Sequence, residues 1–119
     1  MSDSVRDIDQ FRAAVLADPK LSRRYRLREG LAKLGDLYRE MRQAQHRSQS
    51  SIAEKVGIDQ GDVSRLENGE GERGPTVETL VKYADALELE VVVALVPRQT
   101  DKASEEQPFP PAPLVWAKL

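Results

Sequence analysis

Apolar residues recur at helical spacing through most of the chain and at strand spacing only near its C-terminal end. Ile8, Phe11, Ala14 and Val15 fall at steps of three and four and predict a helix over 7–17, which Asp18-Pro19 stops. A second helical pattern starts near Lys20 and runs to about Gln45. Its stripe is Leu27, Leu31, Leu34, Leu37, Tyr38 and Met41, arginines line much of the other side, and Gly30 and Gly35 read as weak points. His46 to Ser48 breaks the pattern.

Two short helices follow. Ser48 is placed to cap a helix over 49–56, and Gly57 is free to take positive φ after it. Asp59 is the N-cap position of a helix over 60–67, Asp62 follows three residues later, and Asn68-Gly69 closes it. Residues 70–75 read as a loop. Thr76 caps a fifth helix over 77–87, with Val77, Leu80, Val81, Ala84 and Leu87 facing one way. The period then changes to two, with Leu89, Val91, Val93 and Leu95 alternating with Glu90, Val92, Ala94 and Val96. That alternation, rich in β-branched residues, predicts one strand within 88–96 that Pro97 ends. Residues 98–119 are polar, then proline-rich, and read as a flexible or polyproline-II tail.

The expected fold class is therefore an all-α helical bundle with one C-terminal β-strand. Four segments are expected: an N-terminal helical extension over 1–30, a helix-turn-helix domain over 31–87, a strand segment over 88–97 and the tail over 98–119. The 119 residues suffice for one domain and not for two full ones.

Composition narrows the function. There is no cysteine, so a disulfide framework and a thiolate metal site are excluded, and a reducing cytosol fits. The single histidine, His46, leaves no basis for a histidine-rich metal site. The N-terminus lacks the apolar core of a signal peptide, and no apolar run approaches the ~20 residues that span a bilayer. A soluble, cytoplasmic protein without a membrane or cofactor is expected. Net charge is −2, but Arg23, Arg24, Arg26, Arg28, Lys33, Arg39, Arg42 and Arg47 face only Glu29, Asp36 and Glu40 over 23–47, a local +5. Such a stripe can attract phosphates, and it can equally be the solvated side of a helix.

The most informative stretch is 48–69. Ala53 supplies a small residue where two helices can cross, Gly57 a sharp turn four residues on, and Val63 and Leu66 two apolar residues for the inner side of the next helix. Ile52, Val56 and Ile58 complete a small core. With its Arg-Leu-Glu-Asn-Gly ending at 65–69, this stretch resembles the XRE (Cro/CI-type) helix-turn-helix family over about 31–87. The resemblance implies a lambda-repressor-like bundle whose third helix enters the DNA major groove. Carried over by position, it implies that Gln49 touches a phosphate and braces the reading helix. Gln60 would read adenine, whose N6 and N7 suit an amide. Ser50, Gly61, Asp62, Ser64 and Arg65 would face the groove, and Asn68 would bond a phosphate. Arg42 and Glu67 would form a buried ion pair.

The chain departs from that pattern at several points. Gly61 replaces a longer side chain at a cost of about 1 kcal/mol in helix propensity. Asp59 and Asp62 are acidic beside the DNA side; they read as helix caps, or Asp62 as an acceptor from cytosine N4. The loop at 70–74 is acidic where many relatives are basic. Arg47 and Arg73 are candidates for further phosphate contacts.

One reading helix covers few base pairs, so a homodimer on double-stranded DNA is expected, with Leu89, Val91, Val93 and Leu95 pairing across a two-fold axis. Alternatively the strand packs on its own domain. The overall plan, with Ala-Asp-Pro-Lys-Leu ahead of the core and Leu-Glu-Val-Val-Val-Ala-Leu-Val-Pro after it, also resembles HigA-type antitoxins of type II toxin–antitoxin systems. That likeness implies a repressor of its own operon and a small RelE/HigB-like toxin as partner. The toxin would dock on the N-terminal helices or the tail, where Phe109, Pro110, Pro111, Leu114 and Trp116 are apolar; the tail also reads simply as a disordered end. The alternative function is a protein-interaction module whose degenerate helix-turn-helix does not bind DNA. No nucleophile, metal or phosphate-loop pattern supports an enzyme; Gly69-x-Gly71-x-x-Gly74 follows a helix rather than a strand and reads as a loop coincidence.

Overall fold

Asp18 folds the chain between two helices. In the computed structural model, which describes residues 2–98 and 115–119, the Asp18 carboxylate accepts from the backbone N–H of Lys20 at 2.9 Å and of Leu21 at 3.4 Å. Pro19 then opens α2, where its missing N–H is harmless. Helix α1 spans Ser2–Ala17 and α2 spans Pro19–Ala44. The sequence places the start of α1 at Asp7 and misses its first turn. Ile8 and Phe11 are exposed, so apolar spacing does not mark where this helix begins.

Helix α2 is unbroken from Pro19 to Ala44 and passes through both glycines expected to weaken it. Gly30 has open space at its side-chain position. Gly35 is buried, and a Cβ there would sit 2.4 Å from the Glu67 carbonyl oxygen and 2.5 Å from that of Leu66. Gly35 is thus a point of close backbone approach, not a weak point. The buried face of α2 is Leu31, Gly35 and Tyr38, with Leu34 and Met41 half-buried. Leu27 and Leu37 belong to the predicted stripe but are 52% and 55% exposed. Burial pushes the Tyr38 phenol up from 10.0 to about 12.

Helices α3 (Gln49–Val56) and α4 (Gln60–Asn68) follow as the spacing predicts. The Ser48 hydroxyl accepts from the Ser51 N–H at 3.1 Å. Gly57 turns left-handed at φ +73, and its N–H returns to the Ala53 carbonyl at 2.9 Å. Helix α4 packs on both α2 and α3. Ile52, Ala53, Val63 and Leu66 form the core at the crossing, with Ile52 and Val63 fully buried.

Residues 76–119 form a second unit. Thr76 caps α5 (Val77–Ala86) by accepting from the Thr79 N–H at 3.1 Å. Its buried residues are Tyr83, Ala84 and Ala86, followed by Leu87. The predicted face is rotated in two respects: Val77 is 59% exposed, and Tyr83, absent from that face, is fully buried.

Among the described residues, the C-terminal region holds two strands where the sequence predicts one. Strand β1 covers Val92–Leu95, shorter than the expected 88–96, and pairs antiparallel with β2, Val115–Lys118. The end of the tail is therefore a strand rather than a flexible end, and β1 has a partner within its own chain. The register joins Val92 to Lys118, Val93 to Ala117, Ala94 to Trp116 and Leu95 to Val115. A 2.9 Å ion pair from Lys118 to Glu90 and a 2.8 Å bond from the Leu119 N–H to the Val91 carbonyl extend the pairing. Phe109, Pro110, Pro111 and Leu114, named above as apolar tail residues, lie outside the described residues.

Candidate nucleic-acid interface

Helix α4 has two unlike sides. Val63, Leu66 and Glu67 are buried, whereas Gln60, Gly61, Asp62, Arg65 and Asn68 are exposed and Ser64 is half-buried. With 3.6 residues per turn, Gly61, Arg65 and Asn68 lie away from the buried residues, whereas Gln60 is in line with Val63 and Glu67 and is exposed at the first position of the helix. The inner side is fixed by a carboxylate. Glu67, whose side chain is fully buried, accepts from Arg42 Nε and Nη2, each at 2.8 Å. Gln49 Nε2 donates to Glu67 Oε1 at 3.3 Å, and Arg39 Nε lies 3.5 Å from the same oxygen. The third guanidinium nitrogen of Arg42, Nη1, donates to the Arg47 carbonyl at 2.8 Å. A buried carboxylate is tolerable only with such pairing. The network ties α2, the 45–48 linker, α3 and α4 to one another.

On the outer side, the Ser50 hydroxyl donates to Gln60 Oε1 at 3.1 Å. This bond orients the Gln60 amide and joins the starts of α3 and α4. Arg65 pairs with Asp62, and this carboxylate holds the guanidinium pKa above its ordinary value, first by the hydrogen bond and then by its charge. Gly61 makes room for that arrangement, since a Cβ there would lie 3.3 Å from Arg65 Nη1. Asp59 occupies the N-cap of α4 as the sequence predicts, with extended backbone angles but no side-chain cap bond, and Asp62 engages Arg65 rather than a backbone N–H. A neighbouring cation three residues on captures Asp62 more strongly than a backbone N–H would.

Asn68 Oδ1 accepts from Arg39 Nη2 at 2.5 Å, and its Nδ2 donates to Ser64 Oγ at 3.4 Å. The fold thus brings Gln49, Ser50 and Gln60 to one edge, and lays Gly61, Asp62, Ser64, Arg65 and Asn68 along α4. Arg47 sits half-buried in the linker. Arg73 is exposed on the loop after α4, beside Arg24 and Arg28. Leu89 and Val91 are half-buried ahead of β1, while Val93 and Leu95 are exposed within it.

Sequence reasoning missed Arg39 and Arg28. Arg39 lies one helical turn before Arg42, so its place on the same face was available from spacing alone. Arg28 Nη1 donates to the carbonyls of Gly69 at 3.3 Å and Gly71 at 3.1 Å, contacts more than forty residues away in sequence that no local pattern announces.

Residues 39–93 match the helix-turn-helix family HTH_3. Over 50 residues the chain is 42% identical to the cryptic phage CTXphi transcriptional repressor RstR of Vibrio cholerae serotype O1, which amounts to 42% of this chain and 43% of that protein. The chain thus spans less than half the length of that relative. The crystal structure of the restriction-modification controller protein C.AhdI from Aeromonas hydrophila is similar at 34% identity and a TM-score of 0.48, over 52% of this chain and 91% of that one. Among the described residues, no helix is long and apolar enough to cross a membrane, and no group of His, Cys, Asp and Glu is arranged to hold a metal. Ala53 and Gly57 stand at the turn and α4 is fixed by Glu67 beneath a polar outer side, which agrees with the match of residues 39–93 to a helix-turn-helix family.

Proposed function

We propose that this protein is a sequence-specific, DNA-binding transcriptional repressor in the cytoplasm, and not an enzyme. The observation that carries this reading is the two-sided character of α4. Its inner side is locked by Glu67, while Gln60, Arg65 and Asn68 stand exposed in bonds to Ser50, Asp62, Arg39 and Ser64 that base edges and phosphates can share or replace. Gln60 reads adenine, its amide already oriented by Ser50. Arg65 reaches guanine or phosphate by exchanging Asp62 for the DNA acceptor, Gln49 and Asn68 contact the backbone, and Arg47 adds charge beside them. The name of the relative RstR, a transcriptional repressor, supports the same reading.

Two finer proposals accompany it. The protein acts as a homodimer that places two α4 helices on successive major grooves, with the free edge of β1 meeting its two-fold mate beside Leu89, Val91, Val93 and Leu95. It also serves as a HigA-type antitoxin, repressing its own operon and neutralising a small RelE/HigB-like toxin. Co-expression with the adjacent reading frame tests the second idea; growth arrest by that frame, relieved by this chain, is the expected result.

Fluorescence anisotropy with the protein's own promoter duplex tests the central claim. The expected result is tight binding that weakens steeply with salt and is lost on combining Gln60→Ala with Arg65→Ala. Unchanged affinity in that double variant removes α4 as the reading element. Absence of binding even at low salt favours instead an interaction module that has lost DNA affinity.

A further inference from the structure

The first part of α2 and the loop after α4 enclose a cleft of ≈ 540 Å³ lined by Arg24, Leu27, Arg28, Glu72 and Arg73. Arg24, Leu27 and Arg28 stand at i, i+3 and i+4 and so share one side of the helix. The loop is held against that side at several points. Arg28 bonds the Gly69 and Gly71 carbonyls. Gly74, left-handed at φ +71, leaves so little room that a Cβ would meet the Leu31 side chain at 2.6 Å. The glycines at 69, 71 and 74 therefore have a use. They let the loop lie flat on α2, which sets Arg73 opposite Arg24 and Arg28.

The cleft gathers three guanidinium groups and one carboxylate in a chain whose net charge is −2. Arg28 is occupied by the loop carbonyls, while Arg24 and Arg73 have no hydrogen-bond or ion-pair partner among the described residues. Between Pro19 and Arg28 the chain places Lys20, Arg23, Arg24, Arg26 and Arg28 with no acidic residue. Like charges held this close favour an anion between them, and guanidinium forks match phosphate oxygens better than any other protein group. The cleft also adjoins the C-terminal end of α4, because Arg28 binds the carbonyl of Gly69, the residue after Asn68.

We propose that this cleft is a phosphate site that grips the DNA backbone beyond the bases read by α4, with Arg24 and Arg73 as its two contact residues and Arg28 as the residue positioning the loop. It rests on the DNA-binding reading above, and extends the contact surface to a segment of α2 that lies outside the matched 39–93 region.

The test uses the full chain, the promoter duplex and an unrelated duplex, across a series of salt concentrations. Arg24→Gln combined with Arg73→Gln is expected to weaken both duplexes equally, by about tenfold near ~0.1 M salt, and to make the slope of log K against log salt shallower by about two. Arg24→Lys with Arg73→Lys is expected to keep most of the slope. An unchanged slope and affinity in the glutamine variant overturns the proposal. Gln60→Ala separates the two readings, since it should erase discrimination between the duplexes at unchanged slope; if it does not, base reading by α4 fails while the arginine result still decides the cleft. Inorganic pyrophosphate without DNA distinguishes the source of the phosphate. A rise in melting temperature that depends on Arg24 and Arg73, alongside an unaltered DNA slope, overturns the assignment to DNA in favour of a free phosphate ligand.

Discussion

The seam between α2 and α4 and the β1–β2 pair are built on opposite terms. At the seam, Gly35 lets two backbones approach closely, and Glu67 is enclosed and saturated by Arg42, with Arg39 and Gln49 alongside. In the sheet every residue of both strands is exposed, and its ion pair between Glu90 and Lys118 lies open to water, with side chains 61% and 58% exposed. The same kinds of interaction, a salt bridge and a set of backbone bonds, therefore carry different weight. Burial makes the absence of a partner costly, while exposure lets water replace it. The contrast also shows where specificity resides: the seam admits one arrangement, whereas an isolated two-stranded pair is marginal unless something covers it.

The sharpest way to break the comparison is to strip Glu67 of its partner. Arg42→Ala leaves a buried carboxylate short of its main counter-charge and is expected to lower unfolding stability by about 3–5 kcal/mol in urea denaturation. A loss no greater than that at the exposed sheet pair would erase the distinction. Gly35→Ala comes next. Its Cβ would collide with backbone carbonyls, which cannot swing aside, so a loss of about 1–3 kcal/mol or more is expected. Gly30→Ala, in the same helix with open space around it, should instead stabilise by about 0.5–1 kcal/mol. Thermal unfolding of the two variants side by side reads the difference in sign.

At the caps, Ser48→Ala should cost about 1 kcal/mol because a bond to Ser51 is lost, and Asp59→Ala clearly less because no such bond exists. Equal losses in circular-dichroism melts would restore Asp59 as a true cap. The smallest effect is expected in the sheet. A double-mutant cycle on Glu90 and Lys118 should return a coupling below ~1 kcal/mol that fades with added salt.

Sequence reading was strongest where structure is dictated locally. Ser48, Gly57, Gly69 and Thr76 mark helix ends through chemistry confined to a few neighbouring residues, and the bounds of α3 follow from them. The two-sided pattern of α4 was legible for the same reason. Gly35 was misread because a helix-weakening residue and a close-approach residue look alike until the other backbone is known. Tyr83 lies at the edge of the predicted face, beside Leu87 at helical spacing, and its burial in place of Val77 depends on what packs there rather than on the local pattern. Strand β2 lies beyond a proline-rich stretch that suggested continued irregularity, and its pairing with β1 is a long-range event. Within the candidate interface, Asp62 sits where both a cap bond to the backbone and an i, i+3 pair with Arg65 are open to it, and local spacing alone does not choose between them.

Arg42 has one more implication. Its guanidinium grips the Glu67 carboxylate on one edge and the carbonyl of Arg47 on the other, so the short link into α3 is fastened to α4 rather than left to hinge. The gap between Gln49 at the head of one rod and Gln60 at the head of the next then behaves like the fixed jaw of a caliper. On the proposed DNA-binding reading, a duplex whose groove width differs from that setting would have to deform to be gripped, so local DNA stiffness would enter the choice of site even at base pairs no side chain touches.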